Sequence, residues 1–142
     1  MTEIQPILCF AGNASEAIAL YEKAFNAALK VKMLYSDADP KDLQYKPEHK
    51  DFIYHSQLKI GNNIIMLADD CDMEANSQGK SSFLVDLVVN FDTDEELKTA
   101  YNVLSEGATI SVPLCSQSYC SLTCALTDRY GGRWQLMSGY KG

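Results

Sequence analysis

Few residues in this chain have types and spacing suited to chemistry. In the segment Phe52 to Ile60, Phe52, Tyr54, Ser56, Leu58 and Ile60 fall on one strand face, and Ile53, His55, Gln57 and Lys59 on the other. His55 and Gln57 are therefore a polar pair on one face. An imidazole there can act as a general base near neutral pH or as a hydrogen-bond anchor, or it is simply satisfied by a neighbouring backbone group. Asp86 interrupts the apolar run Phe83-Leu84-Val85 and Leu87-Val88-Val89. A carboxylate in such a run is costly unless it finds a partner, water or a ligand. His55, Asp86 and Gln135 form the constellation with most chemical capacity, and three such groups can hold a weakly bound metal. Tyr119 and Trp134 offer aromatic walls to an apolar or planar ligand, or ordinary core packing. His49 lies in a polar loop and reads as solvated.

The five cysteines are Cys9, Cys71, Cys115, Cys120 and Cys124. Their odd number fits reduced thiols in a cytosolic protein. Cys120 and Cys124 are not spaced as a redox pair, and no second pair completes a zinc site, so they read as small buried hydrophobes. A nucleophile at Cys120 would lack a nearby His to activate it. The acidic stretches Asp69 to Glu74 and Asp92 to Glu96 read as a solvated linker and a helix start. Asp69-Asp70-Cys71-Asp72 lacks the ligand spacing of a calcium loop.

The elements that must position these groups form one small pattern written twice. Ile4 to Phe10 reads as a buried strand. A helix near Ser15 to Phe25 follows, capped by Asn13 or Ser15, with Ala17, Ile18, Leu20, Tyr21, Ala24 and Phe25 on its apolar face. Leu29 to Tyr35, Phe52 to Ile60 and Ile64 to Ala68 read as strands, the last two joined by a turn at Gly61-Asn62-Asn63. Ser36 to Asp51 is a polar loop, either a lid or an excursion.

The second copy runs from a strand at Ser82 to Phe91, through a helix near Thr93 to Ser105 stopped at Gly107, to a strand at Thr109 to Pro113. A hairpin of Ser121 to Thr127 and Arg133 to Ser138 closes it. The 142 residues are expected to form a single domain, with module 1 at about 1–70, a linker at about 71–80 and module 2 at about 81–142. Units this small must bury their sheet faces against one another, and a concave surface between copies is the expected ligand site.

A net charge of -7 argues against nucleic acid as a partner. No apolar run approaches the roughly 20 residues that span a bilayer, and no secretory leader is recognisable. A cytoplasmic protein without a membrane partner is expected.

Several segments together resemble the PhnB-like branch of the glyoxalase/bleomycin-resistance (vicinal oxygen chelate) superfamily. They are Pro6-Ile7-Leu8-Cys9-Phe10-Ala11-Gly12-Asn13-Ala14 with Ala17-x-x-Leu20-Tyr21, Tyr54 to Gly61, Ile65 to Asp69, Ser105-Glu106-Gly107, Val112-Pro113-Leu114 and Leu126 to Trp134. Their order covers nearly the whole chain. The resemblance implies an α+β fold of paired βαβββ modules, with curved mixed sheets, helices outside, and a homodimer. The branch carries the description 3-demethylubiquinone-9 3-methyltransferase-like, but the sequence has no Gly-rich nucleotide-binding loop to suggest methyl transfer.

In metal-using members, a His on the first strand and a Glu on the last strand of each module hold a divalent ion. Carried over, these positions fall on Pro6, near Met66, on Val85 or Asp86, and on Gln135. Apolar side chains and a neutral amide are poor ligands for a hard divalent ion, so no cofactor is expected and a divalent metal is disfavoured. At Tyr119 to Cys124 the branch often has aromatic-Gly pairs, where this chain has Cys120 and Cys124.

The expected function is binding of a small molecule in a concave cavity without the usual metal. His55, Gln57, Asp86, Tyr119, Trp134 and Gln135 are the candidate ligand-binding residues. The alternative is an enzyme of lyase, isomerase or dioxygenase type, metal-dependent or using His55 as the catalytic base, acting on a small carbonyl or aromatic substrate.

Overall fold

In the first unit the chain forms β1 (Ile7–Phe10), α1 (Ala14–Phe25), β2 (Ala28–Leu34), β3 (Ile53–Ile60) and β4 (Asn63–Asp69). The second forms β5 (Leu87–Phe91), α2 (Asp94–Leu104), β6 (Thr109–Gln117), β7 (Cys120–Thr127) and β8 (Arg133–Ser138). The computed structural model describes residues 1–70 and 84–141. The chain divides into two compact units, Met1–Lys80 and Ser81–Gly142. The linker expected over 71–80, the start of the strand expected at Ser82, and Cys71 lie outside the described residues.

The two sheets have the same topology. Strand order is β1-β4-β3-β2 in the first and β5-β8-β7-β6 in the second. The first and last strands of each unit pair in parallel, and the remaining neighbours are antiparallel. A parallel pair needs a crossover, which α1 and α2 provide. Each unit is thus a βαβββ module, the α+β architecture that the family resemblance implied.

Alternation decides which side each helix covers. Ile65, Leu67 and Asp69 of β4 and Ser56 and Leu58 of β3 are buried beneath α1, whose Ala17, Ile18, Leu20, Tyr21 and Ala24 pack down on them. In the second unit, Trp134, Leu136 and Ser138 of β8 and Cys124 and Leu126 of β7 lie beneath Leu97, Ala100 and Leu104 of α2. Each fully buried Leu contributes about 2 kcal/mol of transfer free energy. Among the described residues, no helix of its own unit covers the opposite face of each sheet.

Several boundaries move for physical reasons. β1 begins at Ile7 rather than Ile4, which is fully exposed. It is also an edge strand with Ile7 half exposed, so it is not buried on both faces. β6 continues past Pro113 to Gln117 because it too is an edge strand, where a missing N–H leaves no inner partner unsatisfied. β5 begins at Leu87, so Asp86 stands just before the strand rather than within it. The loop after β2 carries two 3-10 turns, Tyr35–Asp37 and Pro47–His49. Its base is closed by Tyr35 N–H to the Phe52 carbonyl at 2.8 Å and Ser36 N–H to that of Lys50 at 3.0 Å. His49 is not merely solvated: its ring stacks on Phe52 at 4.4 Å between centroids.

Asp69 is the largest departure. Expected in a solvated linker, it is 6% exposed at the end of β4. Its Oδ1 accepts from Gly12 N–H at 3.0 Å and Ala14 N–H at 2.9 Å, and its Oδ2 from Ile53 N–H at 2.8 Å. Its carbonyl accepts from the Tyr35 hydroxyl at 2.7 Å. Asn13 occupies the cap position of α1 but makes no side-chain cap bond, so a carboxylate from a distant strand serves the helix start instead. Gly12 completes the junction: its φ is +109°, and a Cβ there would stand 2.8 Å from the Phe52 ring.

The second unit joins the same parts with the polarity reversed. Ser138, at the end of β8, donates its hydroxyl to Asp94 Oδ1 at 2.5 Å, in the first turn of α2. Ser121 Oγ lies 2.6 Å from that same oxygen and 3.0 Å from the Ser138 carbonyl, its single proton serving one of the two. These hydroxyls, Ser121 first and Ser138 next, hold the Asp94 carboxyl below its ordinary range. Thr93 caps α2, accepting from Glu96 N–H at 3.2 Å.

Removing the Asp69 carboxylate strands three backbone donors, two of them in bonds that are buried. Asp69→Ala is expected to lower unfolding free energy by about 3 kcal/mol or more, measured by urea denaturation. Asp69→Asn, which must turn an amide N–H₂ toward one of these donors, is expected to lose a large part of the same amount.

Candidate functional site

The face of each sheet away from its helix carries the polar candidates. In the first unit, Ile7, Met66, Gln57 and Val31 stand in one row across all four strands. His55 sits two residues along β3 from Gln57, opposite Met33 of β2. His55 and Gln57 are both half-buried, whereas Ser56 and Leu58 between and beyond them are fully buried beneath α1. The structure thus places the expected pair together on the helix-free face. Ile53 departs from the simple alternation: a bulge between Met33 and Leu34 of β2 skips one residue of β3, and Ile53 is fully buried.

In the second unit the matching row is Val88, Gln135, Ala125 and Val112. Each row holds one amide among apolar side chains, on β3 in the first unit and on β8 in the second. Asp86 and Gln135 come together as expected, but through a third residue absent from the candidate set. Arg133 Nε donates to Asp86 Oδ1 at 2.5 Å, and Gln135 Nε2 donates to Asp86 Oδ2 at 3.1 Å. Arg133 and Gln135 are two residues apart on β8 and share a face, opposite Thr127 and Ala125 respectively. That i, i+2 spacing was visible in the sequence; the partner for the lone acid lay at its other end. The Arg133 guanidinium, then the Gln135 amide, hold the Asp86 carboxyl below its ordinary range.

The other candidates are placed elsewhere. Trp134 is 1% exposed on the α2 side of its sheet, and its indole N–H is held by Asp128 Oδ2 at 2.8 Å. It therefore occupies the opposite face from Gln135 and belongs to the core of its unit. Asp128 Oδ1 also accepts from Tyr130 N–H at 2.8 Å and Gly132 N–H at 3.0 Å, which shapes the β7–β8 turn. Tyr119 is 47% exposed in the β6–β7 turn, off the row containing Gln135, and its carbonyl accepts from Lys141 N–H at 2.9 Å. His55 and Gln57 belong to the first unit, and Asp86, Arg133 and Gln135 to the second.

Cys120 and Cys124 are buried. Burial pushes the Cys124 thiol up to about 11, so at neutral pH it is protonated and a poor nucleophile.

The donor set can be tested against a divalent metal. The helix-free partners of Met66 and Gln135 on the first strands are Ile7 and Val88. The positions carried over from the family resemblance, Pro6 and Val85 or Asp86, lie one to three residues before these partners. Ile and Val carry no donor, a Met thioether is soft, and the Gln135 amide nitrogen is already committed to Asp86. Among the described residues, no three His, Cys, Asp or Glu side chains converge on a point. These residues do not fit a hard divalent ion.

Two four-stranded βαβββ modules, each with a helix on one face and a polar pair on the other, define the glyoxalase/bleomycin-resistance class of fold. A glyoxalase/bleomycin resistance protein/dioxygenase family enzyme from Burkholderia phytofirmans is similar in fold alone. It is 15% identical with a TM-score of 0.61, covering 94% of this chain and 96% of that one. Within that class the chain belongs to the PhnB-like 3-demethylubiquinone-9 3-methyltransferase family, whose profile matches residues 2–137. It is 28% identical to Protein YjdN of Escherichia coli, over 94% of this chain and 92% of that one. It is similar to the structure of PA1353 from Pseudomonas aeruginosa (TM-score 0.82, 24% identity, 97% and 98% of the chains). It is also similar to a PhnB protein from Bacillus cereus, described as a putative 3-demethylubiquinone-9 3-methyltransferase (TM-score 0.77, 25% identity, 96% and 99% of the chains).

The lowered Asp86 carboxyl has a consequence for stability. The pair's contribution is fully present above about pH 4, the ordinary aspartate range, and is lost as pH falls through the lowered folded value. A double-mutant cycle of Asp86→Asn and Arg133→Gln, read by urea unfolding, is expected to give a coupling of about 1 kcal/mol near neutral pH. The same cycle should give a coupling that shrinks as the pH falls below the ordinary aspartate range toward the lowered folded value.

Proposed function

We propose that this chain binds a small, partly apolar molecule on the helix-free faces of its sheets, without a divalent metal. The observation that carries this reading is the composition of the two rows. Ile7, Met66 and Val31 surround Gln57, and Val88, Ala125 and Val112 surround Gln135. Apolar surface with a few placed polar groups is the usual make-up of a small-molecule site. We assign no methyl transfer to the chain, whose sequence lacks a Gly-rich nucleotide-binding loop. The homodimer implied by the family resemblance is part of the same proposal.

One observation favours a second reading, an enzyme using His55 as a base on a small carbonyl or aromatic substrate. His55 is half-buried on the same face as Gln57, where an imidazole can reach a bound molecule.

Calorimetric titration of metal-stripped protein with zinc, nickel, manganese and iron(II) tests the metal-free reading. No saturable binding is expected. Saturation at about one ion per chain, abolished by His55→Ala or Asp86→Ala, would overturn it and place the protein among metalloenzymes. A thermal-shift screen of small aromatic and aliphatic molecules then tests binding. A ligand present at about 100 times its Kd is expected to stabilise the fold by about 2.7 kcal/mol, and a screen without any stabilising molecule counts against the proposal.

A further inference from the structure

We propose that the outer edge of β6 is the surface on which two copies of this chain meet about a two-fold axis. This gives the homodimer proposed above its contact surface. It rests on that part of the proposal and not on ligand binding.

The sequence marks the place. Charged residues make up 22% of the chain, yet none occurs from Gly107 to Thr127. That run holds the hairpin of β6 and β7, and β6 stands at the end of its sheet. The neutrality is therefore on the surface: Thr109, Ser111, Val112, Pro113, Ser116 and Gln117 are all exposed. Edge strands are commonly guarded by charge, above all by Lys, or by being short. The other edges of the two sheets follow that rule. β2 carries exposed Lys30 and Lys32, and β1 and β5 have four and five residues. β6 has nine and no charge. Depletion of charge is the compositional mark of an interface core.

Charge also selects the occupant. The chain carries a net charge of -7, so two copies approaching on their charged surfaces repel. A charge-free strip that meets its own image about a two-fold axis brings no like charges together. The strip suits its image in polarity as well. Val112 and Pro113 at its centre are apolar, and Thr109, Ser111, Ser116 and Gln117 on either side are polar and neutral. An axis near Val112-Pro113 lays apolar on apolar and sets neutral polar groups around them. Pro113 has no N–H, and the register of β6 shifts on both sides of it. Side-chain burial therefore carries the contact, and a long shared ladder does not. Charge from other elements touches the hairpin at its ends: Arg129 Nη1 donates to the Glu106 carbonyl, and Lys141 N–H to that of Tyr119.

Sedimentation equilibrium of the full chain from about 1 to about 100 µM reads the association. A monomer–dimer equilibrium is expected. Pro113→Lys and, separately, Val112→Lys set a positive charge beside its twin near the axis, and each should weaken the dimer at least about tenfold. Each lowers the net negative charge, so general repulsion falls and a loss of dimer reports the local contact. Thr99→Lys makes the same change on an exposed position of α2 and should leave the dimer as it is. Val112→Lys serves if Pro113→Lys does not fold. Added salt should leave the dimer intact or tighten it, because it screens like charges.

A chain that stays monomeric over this range overturns the surface and the homodimer together. A dimer that survives both lysine variants, that Thr99→Lys weakens equally, or that dissociates as salt is raised overturns the surface while the homodimer stands. The small-molecule reading fails or stands separately, on the thermal-shift screen.

Discussion

The end of the last strand in each unit is tied to the loop that starts the helix, and the rest of each unit depends on that tie. In the first, the Asp69 carboxylate takes the N–H groups of Gly12, Ala14 and Ile53. It therefore joins β4, the β1–α1 loop and the start of β3 at one buried point. Without it the helix start would bury unsatisfied donors, which is costly in a low-dielectric interior. In the second, Ser138 and Asp94 perform the same join with hydroxyl and carboxylate exchanged between strand and helix. The constraint is the position of the tie, and the chemistry that fills it differs.

Once each helix is fixed over one side of its sheet, alternation does the rest. Apart from the bulge at Ile53 and the buried neighbours Thr123 and Cys124, residues of β3, β4, β7 and β8 alternate between the core and the other face. His55, Gln57, Arg133 and Gln135 are on that second face for this reason. Trp134 is on the first, so its indole belongs to the core of the second unit and not to the face that carries Gln135. Asp128 reinforces this by holding the indole N–H.

A shared fold does not by itself assign chemistry. The strand positions that face each other across each parallel pair are Ile7 with Met66 and Val88 with Gln135. Such positions can be rewritten without disturbing the core, because they lie on the face the helix does not touch. Fold alone does not assign function, so the proposed function is read from that face's own side chains.

The architecture was legible in the chain itself. Two amphipathic helices, the hairpin at Gly61 and the closing hairpin around Asp128 to Gly132 are written in local periodicity and turn residues, which act over a few positions and survive any tertiary context. The face shared by His55 and Gln57 was legible for the same reason, since strand alternation is a local rule. The partner of Asp86 was not. Its need for one followed from the cost of a lone carboxylate, but Arg133 lies 47 residues away in sequence, and only the parallel pairing of β5 with β8 brings it to 2.5 Å. Asp69 was misjudged as solvated because its acidic neighbours look like a linker, while its three donors come from segments that meet only when β1 and β3 flank β4. Local sequence determined which elements form and which way their residues alternate. Tertiary structure alone decided which polar groups find each other, because hydrogen bonds between strands distant in sequence depend on register, and register is a property of the assembled sheet.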